Sequence, residues 1–438
     1  MKQQEALDIL KLGNNVFLTG PAGSGKTYVL NEYIDYLKKY KVGIGITAST
    51  GIAATHINGR TIHSWAKIGI KEKISSKEIK ALLYNDNLQE QFSKTKVLVI
   101  DEISMLNSFR LDMVNKVCQA FKQSDLPFGG IQVVLCGDFF QLPPINTTKE
   151  KSSDFVYKSK IWNLMNIKVC YLEEQYRQDD KKFLQALNKI RQNNIDQEAK
   201  DLFVGQMNKP IKGKIKSTIL YTHKVNVDSI NNIELARINE KESIYEMYSE
   251  GDKYLIAELK KSCPSPETLV LKKGAVVMFV KNRFIDDKII YVNGTLGVVV
   301  DFDENHCPEV EISSGNRITV FPDDWRIEED DTVLAKIVQV PLRLAWAITV
   351  HKSQGMSLDA AETDLSRSFD YGMGYVALSR LKTIEGLSLL GMNEKAYQVH
   401  PEVLEHDKKF IEMSEEVQEE LKKLSRADID RMQDLFLK

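Results

Sequence analysis

The chain has 438 residues, 43% hydrophobic and 27% charged, with a formal net charge of −2. That size and balance predict a globular chain of two or three domains, exclude the run of roughly 18 apolar residues that a membrane-spanning helix needs, and leave any polyanion binding to a local groove. Five cysteines (Cys118, Cys136, Cys170, Cys263 and Cys307) lack C-x-x-C spacing, which argues against a zinc site or a disulfide framework.

No charged-then-apolar leader precedes the first apolar run, so a cytoplasmic location is expected. That run, Val16 to Thr19, is rich in β-formers and feeds a turn in which Gly20, Gly25, Lys26 and Thr27 fit G-x-x-x-x-G-K-[ST], with a helical segment behind. Glycines let the backbone, here including Gly23 and Ser24, curl around phosphate with its N–H groups and a helix N-terminus facing the anion. Lys26 then reaches the β and γ phosphates of ATP while the Thr27 hydroxyl holds Mg²⁺. Strand, loop and helix in this order weigh against a chance glycine turn. The motif says nucleotide and nothing about purpose.

Further strands are predicted at Val42 to Thr47, Val97 to Ile100 and Ile131 to Cys136, alternating with helical stretches, which predicts an α/β domain with a parallel sheet. Asp101 and Glu102 follow the third strand, where Asp101 suits the Mg²⁺ shell and Glu102 a general base; a solvated turn is the alternative. Gln141, beyond the next strand in GDFFQLPP, suits a γ-phosphate contact, with a proline-stiffened polar loop equally compatible. A second α/β domain is expected to open near Lys168 to Leu172 and to run on through the strand, turn and helix of STILYTHKVNVDSINNIEL. Arg177 and Arg380 follow apolar segments of that domain; each alone fits a surface ion pair, and together they fit charge neutralisation at a γ-phosphate. Short strands punctuated by Gly, Asn, Asp and Pro from about Glu242 read as an inserted β-barrel. From about His406 the chain is charged, with helical spacing of apolar residues, and is expected to pack on the body.

The ordered set QQEAL, GPAGSGKT, TASTGIAA, TIHSW, DEISML, GDFFQLPP, EEQYRQ, LYTHKVNVDSIN, VNGTLG, VHKSQGMSLD and YVALSR resembles the superfamily 1 DNA helicases of the Pif type, relatives of RecD, from Gln3 to about Gly391. LDMVNKVCQAF also resembles a stretch peculiar to the Pif type. The resemblance implies two RecA-like P-loop NTPase domains, 1–170 and 171–241 with 342–397, a wedge inserted at about 64–80, a Src-homology-type β-barrel at 242–341, and a helical tail at 398–438. It implies that Gln3 reads the adenine edge rather than Gln4, that Gly355 lines the nucleotide side of the cleft, that Gln141 senses the γ-phosphate, and that Arg177 and Arg380 are arginine fingers. It also implies single-stranded DNA contacts at Thr50, Gly51, His63, Ser64, Asn282, Asn293, Thr295, His351, Lys352 and Ser353. Thr50 and Ser64 could instead cap helices, His63 could be a core histidine, and Lys352 a solvated lysine. Trp65 and Trp346 could stack on bases, but a buried aromatic is the more frequent role of an isolated tryptophan, so both stay outside the expected site.

The activity implied is ATP-dependent, 5′ to 3′ translocation on single strands with unwinding of forked or tailed duplex in genome maintenance. The preferred structure, G-quadruplex and RNA–DNA hybrid included, and a monomer or a DNA-induced dimer, stay open. With Gln3 almost at the start, a minimal microbial, nucleoid-associated enzyme is expected. The rivals are a RecD-like recombination subunit, a P-loop ATPase that remodels a protein partner, and a small-molecule kinase. The paired arginines weigh against the second and the missing basic lid against the third.

Overall fold

The computed structural model describes the chain except for residues 70–72, 145–153, 178–179, 212–217, 222–226, 286–287, 313, 330–331, 351–352, 354 and 438. Six parallel strands form the first sheet: β1 (Val16–Thr19), β2 (Ile44–Ala48), β3 (Arg60–Thr61), β4 (Val97–Asp101), β5 (Gln132–Cys136) and β6 (Lys168–Tyr171), in the order β3-β2-β4-β5-β1-β6. Every residue of β1, β4 and β5 is buried, as expected of central strands covered on both faces. Helices α1 (Gln3–Lys11), α2 (Lys26–Lys39), α3 (Gly51–His56), α4 (Ile62–Trp65), α5 (Ser76–Leu82), α6 (Asp86–Lys94) and α7 (Ser108–Lys122) belong to this half.

The strand expected to open the second domain closes the first sheet instead. β6 pairs in parallel with β1, Val16 beside Lys168 and Thr19 beside Tyr171. A short apolar run carries no mark of which sheet it joins, because its register partner lies about 150 residues away.

Helices α8 (Lys181–Arg191) and α9 (Gln197–Val204) lead into a second parallel sheet, in which β7 (Thr218–Tyr221) lies between Ala347–Thr349 and Ala361–Leu365, with Leu387–Met392 outermost. Between β7 with α10 (Val227–Ala236) and the return at Ala347, the chain builds several small antiparallel sheets, the largest five-stranded. Leu342–Leu344 pairs with Val276–Phe279 in that largest sheet, so the insertion's strands run three residues past 341. Helix α11 (Lys253–Ser262), which the strand pattern did not suggest, packs on the three-stranded sheet through Leu255 and Leu259.

After the short helix α12 (Met373–Leu378), the tail forms α13 (Pro401–Lys422) and α14 (Arg426–Leu437). It returns to the first domain. Tyr171 N donates to Ser414 Oγ at 3.0 Å, covering the β6 edge, and Phe410 packs edge-on to Phe17 at 5.1 Å. Lys168–Glu420 and Arg426–Asp8 pair outside. No helix among the described residues is long and apolar enough to cross a membrane.

Candidate functional site

The parallel order places the turns after β1, β4 and β5 along one edge of the sheet, where α/β folds place their ligands. Gly25 caps α2 at φ +83, a conformation other residues avoid, and a Cβ there would lie 2.1 Å from Gln3 Nε2. The first turn of α2 is therefore free of any side-chain cap and open to an anion. Lys26 folds back, its Nζ donating to the carbonyls of Gly20 and Pro21 at 2.9 Å each. Burial lowers its proton affinity, with Asp138 opposing. Thr27 is exposed at the helix start.

Among the described residues, the buried Ser24 Oγ and Gln141 Oε1 have no hydrogen-bond partner. Such orphaned atoms are costly unless a ligand or water meets them, so the loop fits a nucleoside triphosphate. Gln3 Nε2 donates to Ser24 O at 3.2 Å, whereas Gln4 turns to Asp8. Tyr176, absent from the expected site, donates its N–H to Gly23 O at 2.9 Å and holds a half-exposed ring beside Gly25.

Asp101 is buried at the end of β4, and burial raises its pKa while Cys136, the Glu102 N–H and Lys26 oppose that rise. Glu102 adopts the left-handed conformation, φ 51° and ψ 47°, unusual for a residue with a side chain. Ser49 Oγ holds it by donating to Glu102 O at 2.5 Å.

The second half of the chain completes the cleft. Arg380 is 1% exposed, donating Nε to Val376 O at 3.0 Å and one terminal nitrogen to Ser379 Oγ at 3.1 Å, and Arg177 donates to Ser379 O at 3.0 Å. Burial lowers the pKa of both guanidiniums, the Arg380 charge lowers that of Arg177 further, and Glu102 pulls both back up. Among the described residues neither has a carboxylate at salt-bridge distance, so one buried and one half-buried guanidinium meet at Ser379 without a paired anion. Ala22 N in the phosphate loop donates to Tyr375 Oη at 3.1 Å, and Gly355 lies beside Glu102.

Sequence reasoning also missed the bond between the halves. Arg191 of α8 gives one nitrogen to both oxygens of the wholly buried Asp138, at 2.7 and 2.8 Å, and another to Tyr171 Oη at 3.0 Å, with Asp407 of α13 at 3.5 Å. GDFFQ was the available signal, but its aspartate was not assigned a partner.

The residues expected to meet DNA fall into two groups. Asn282 Oδ1 accepts from Asn293 N at 2.7 Å, and Thr295 Oγ1 accepts from Val292 N at 3.2 Å, making one tied loop. Thr50 caps α3 by accepting from Ala53 N, and the Cβ position of Gly51 is 2.4 Å from Ser262 of α11. Glu258 of α11 accepts from Thr61 N and Oγ1, at 3.1 and 2.9 Å, and from Ser64 Oγ. His63 is half-buried, its pKa pushed down to about 4 by burial and by Arg110. Ser353 is fully buried and donates its hydroxyl to Val350 O at 2.8 Å, within its own turn. His351 and Lys352 lie outside the described residues. Trp65 and Trp346 are buried core aromatics, as read from the sequence.

A family profile for PIF1-like helicases matches residues 2–209, and one for the 2B domain of DNA helicase Pif1 matches residues 255–302. The ATP-dependent DNA helicase Pif1 of Psychrobacter is 41% identical over 100% of this chain and 75% of its own length. The chain belongs to the PIF1-like helicase family. Unliganded Pif1 from Bacteroides is similar in structure at a TM-score of 0.79 and 29% identity, covering 93% of this chain and 96% of that one. Bacteroides Pif1 bound to single-stranded DNA, also 29% identical, gives 0.61 over 93% and 95%. The two parallel-sheet halves are thus the RecA-like domains of the family, and α11 opens the segment matched by the 2B profile.

Proposed function

We propose that the chain is an ATP-driven DNA helicase that moves 5′ to 3′ along a single strand and opens forked or tailed duplex. The observation that carries the ATP-driven part is the convergence of Lys26 and Glu102 from one RecA-like domain with Arg177 and Arg380 from the segment beyond β6, in one cleft, while the 5′ to 3′ direction rests on the family resemblance. A site completed from both sides makes hydrolysis depend on closure. Its relative from Bacteroides binds single-stranded DNA, and the Asn282–Asn293 loop and the α3–α4 face are the surfaces through which this chain would do so.

In this reading Lys26 and the loop N–H groups grip the phosphates, Gln141 and Ser24 supply the unpaired polar atoms, and Gln3 and Tyr176 flank the base. Glu102 orients and deprotonates the attacking water, and the two arginines stabilise charge that develops on the γ-phosphoryl oxygens. Thr27 and Asp101 would hold Mg²⁺, which when bound neutralises phosphate charge. DNA grips on the two domains that tighten out of phase with cleft closure would ratchet the strand. A cytoplasmic, nucleoid-associated enzyme, monomeric or paired on DNA, fits this reading.

The test is ATP hydrolysis by wild type and Lys26→Ala with and without oligo-dT, followed by unwinding of duplexes with a 5′ or a 3′ tail. Oligo-dT stimulation lost in the variant, with unwinding from the 5′ tail only, supports the proposal. Hydrolysis indifferent to DNA sinks the strand reading, and unwinding from the 3′ tail reverses the polarity.

A further inference from the structure

Helix α3 is one and a half turns long, yet the chain at both of its ends meets the catalytic turn. Just before its N-cap, Ser49 donates its amide to Asp101 O at 3.0 Å and its hydroxyl to Glu102 O at 2.5 Å. At its last residue, His56 Nε2 lies 2.9 Å from Asn293 Nδ2. An amide nitrogen can only donate, so Nε2 is the acceptor and the imidazole proton sits on Nδ1. Burial pushes the His56 pKa down to about 4, which keeps the ring neutral, with one donor and one acceptor, near pH 7.

The Nδ1 side of the ring faces Gly355. A Cβ on Gly355 would be 3.4 Å from Nδ1 and 4.0 Å from Glu102 Oε1, so glycine leaves a methyl-sized gap with the imidazole N–H on one side and the carboxylate on the other. Asn293 belongs to the loop expected to hold the strand: its N–H donates to Asn282 Oδ1, and its own buried Oδ1 has no partner among the described residues. An amide with one satisfied end and one orphaned end is poised to turn when something new bonds to its loop. Turning it would move the acceptor's partner and, with it, the imidazole.

We propose that His56 is a positioning residue that couples strand occupancy at the Asn282–Asn293 loop to the orientation of Glu102, through the Nδ1–H presented in the gap beside Gly355. The inference rests on the helicase reading above. Contacts run from Asn282 through Asn293 to His56, and the gap beside Gly355 separates the imidazole from the Glu102 carboxylate, so the last step from the inserted segment to the catalytic turn is made across that gap. A histidine that merely anchored the loop would affect DNA affinity and leave turnover on saturating DNA alone.

The experiment is steady-state ATP hydrolysis by the full chain against oligo-dT concentration for wild type, His56→Phe and His56→Gln. In His56→Phe, which keeps a ring and removes both nitrogens, the ratio of DNA-saturated kcat to DNA-free kcat should fall by about tenfold or more. KM for ATP and the half-saturating oligo-dT concentration should stay within about twofold, and His56→Gln, which retains a donor and an acceptor, should recover part of the ratio. A ratio retained in His56→Phe, or a shift confined to half-saturation, overturns the inference. If His56→Phe does not fold, Asn293→Ala decides: it should lower the ratio in the wild-type background and lower it less in His56→Gln, where the coupling is already weakened, and equal, independent losses overturn the coupling. Wild-type hydrolysis that ignores oligo-dT overturns the helicase reading itself, which separates the two failures.

Discussion

Replacing Arg191 with methionine asks whether the two domains are joined by charge or by packing alone. Asp138 is wholly buried, and its two oxygens take Arg191 at 2.7 and 2.8 Å; without Arg191, the hydrogen bond it keeps is the Phe140 N–H at 3.2 Å. The guanidinium also stacks over the Phe140 ring at 4.0 Å. Removing one member of a buried pair strands the other charge and costs about 3–5 kcal/mol, and Arg191→Met belongs near the top of that range. Asp138→Asn should cost less, about 1–3 kcal/mol, because Arg191 keeps Tyr171 at 3.0 Å and Asp407 at 3.5 Å. At about 2–4 °C per kcal/mol for a domain of this size, the midpoints should fall by about 10 °C or more and by about 5 °C. Thermal unfolding followed by tryptophan fluorescence measures both, and an apolar double replacement, Asp138→Leu with Arg191→Met, should recover much of the loss. Equal single losses, or an Arg191→Met loss under about 1 kcal/mol, would refute the reasoning and make the pair incidental to packing.

Arg380→Ala and Arg177→Ala should each lower kcat for ATP by about a thousandfold or more, while titration with a fluorescent nucleotide shows affinity nearly unchanged; a loss confined to nucleotide affinity would remove them from the transition state. Gly355→Ala must carry a methyl at φ +79 into the gap before Glu102, so turnover with saturating oligo-dT should fall by about tenfold or more against a wild-type KM, and normal turnover would show that the gap is idle. Glu258 occupies Thr61 and Ser64 with a carboxylate where a strand phosphate would compete. Glu258→Gln should therefore tighten oligo-dT binding by about threefold or more at low salt, read by fluorescence anisotropy, and unchanged affinity would mean that the α4 face does not hold the strand.

How far the sequence could be read depends on how local each determinant is. The phosphate loop was legible because strand, glycine positions, lysine and helix all lie within fifteen residues, from Val16 to Leu30. Asp101 and Glu102 were legible because an apolar strand announces its own end. Arg177 and Arg380 could be suspected as a set, but nothing local says that they meet at Ser379. Spacing could not say where the Ser353 hydroxyl lies, because whether it is buried in its own turn depends on packing, which spacing does not encode.

The sequence by itself determined the nucleotide chemistry, the α/β character of both halves, the inserted β segment and the helical tail, since each follows from residue type and short-range period. Only the tertiary structure decided that β6 closes the first sheet and that α13 returns to cover its edge. It likewise decided that Arg191 ties Asp138 to Tyr171 and that His56 meets Asn293 beside Gly355. These are pairings between residues tens to hundreds of positions apart, chosen by packing and by the need to satisfy buried polar groups. A linear pattern carries no register for such pairings.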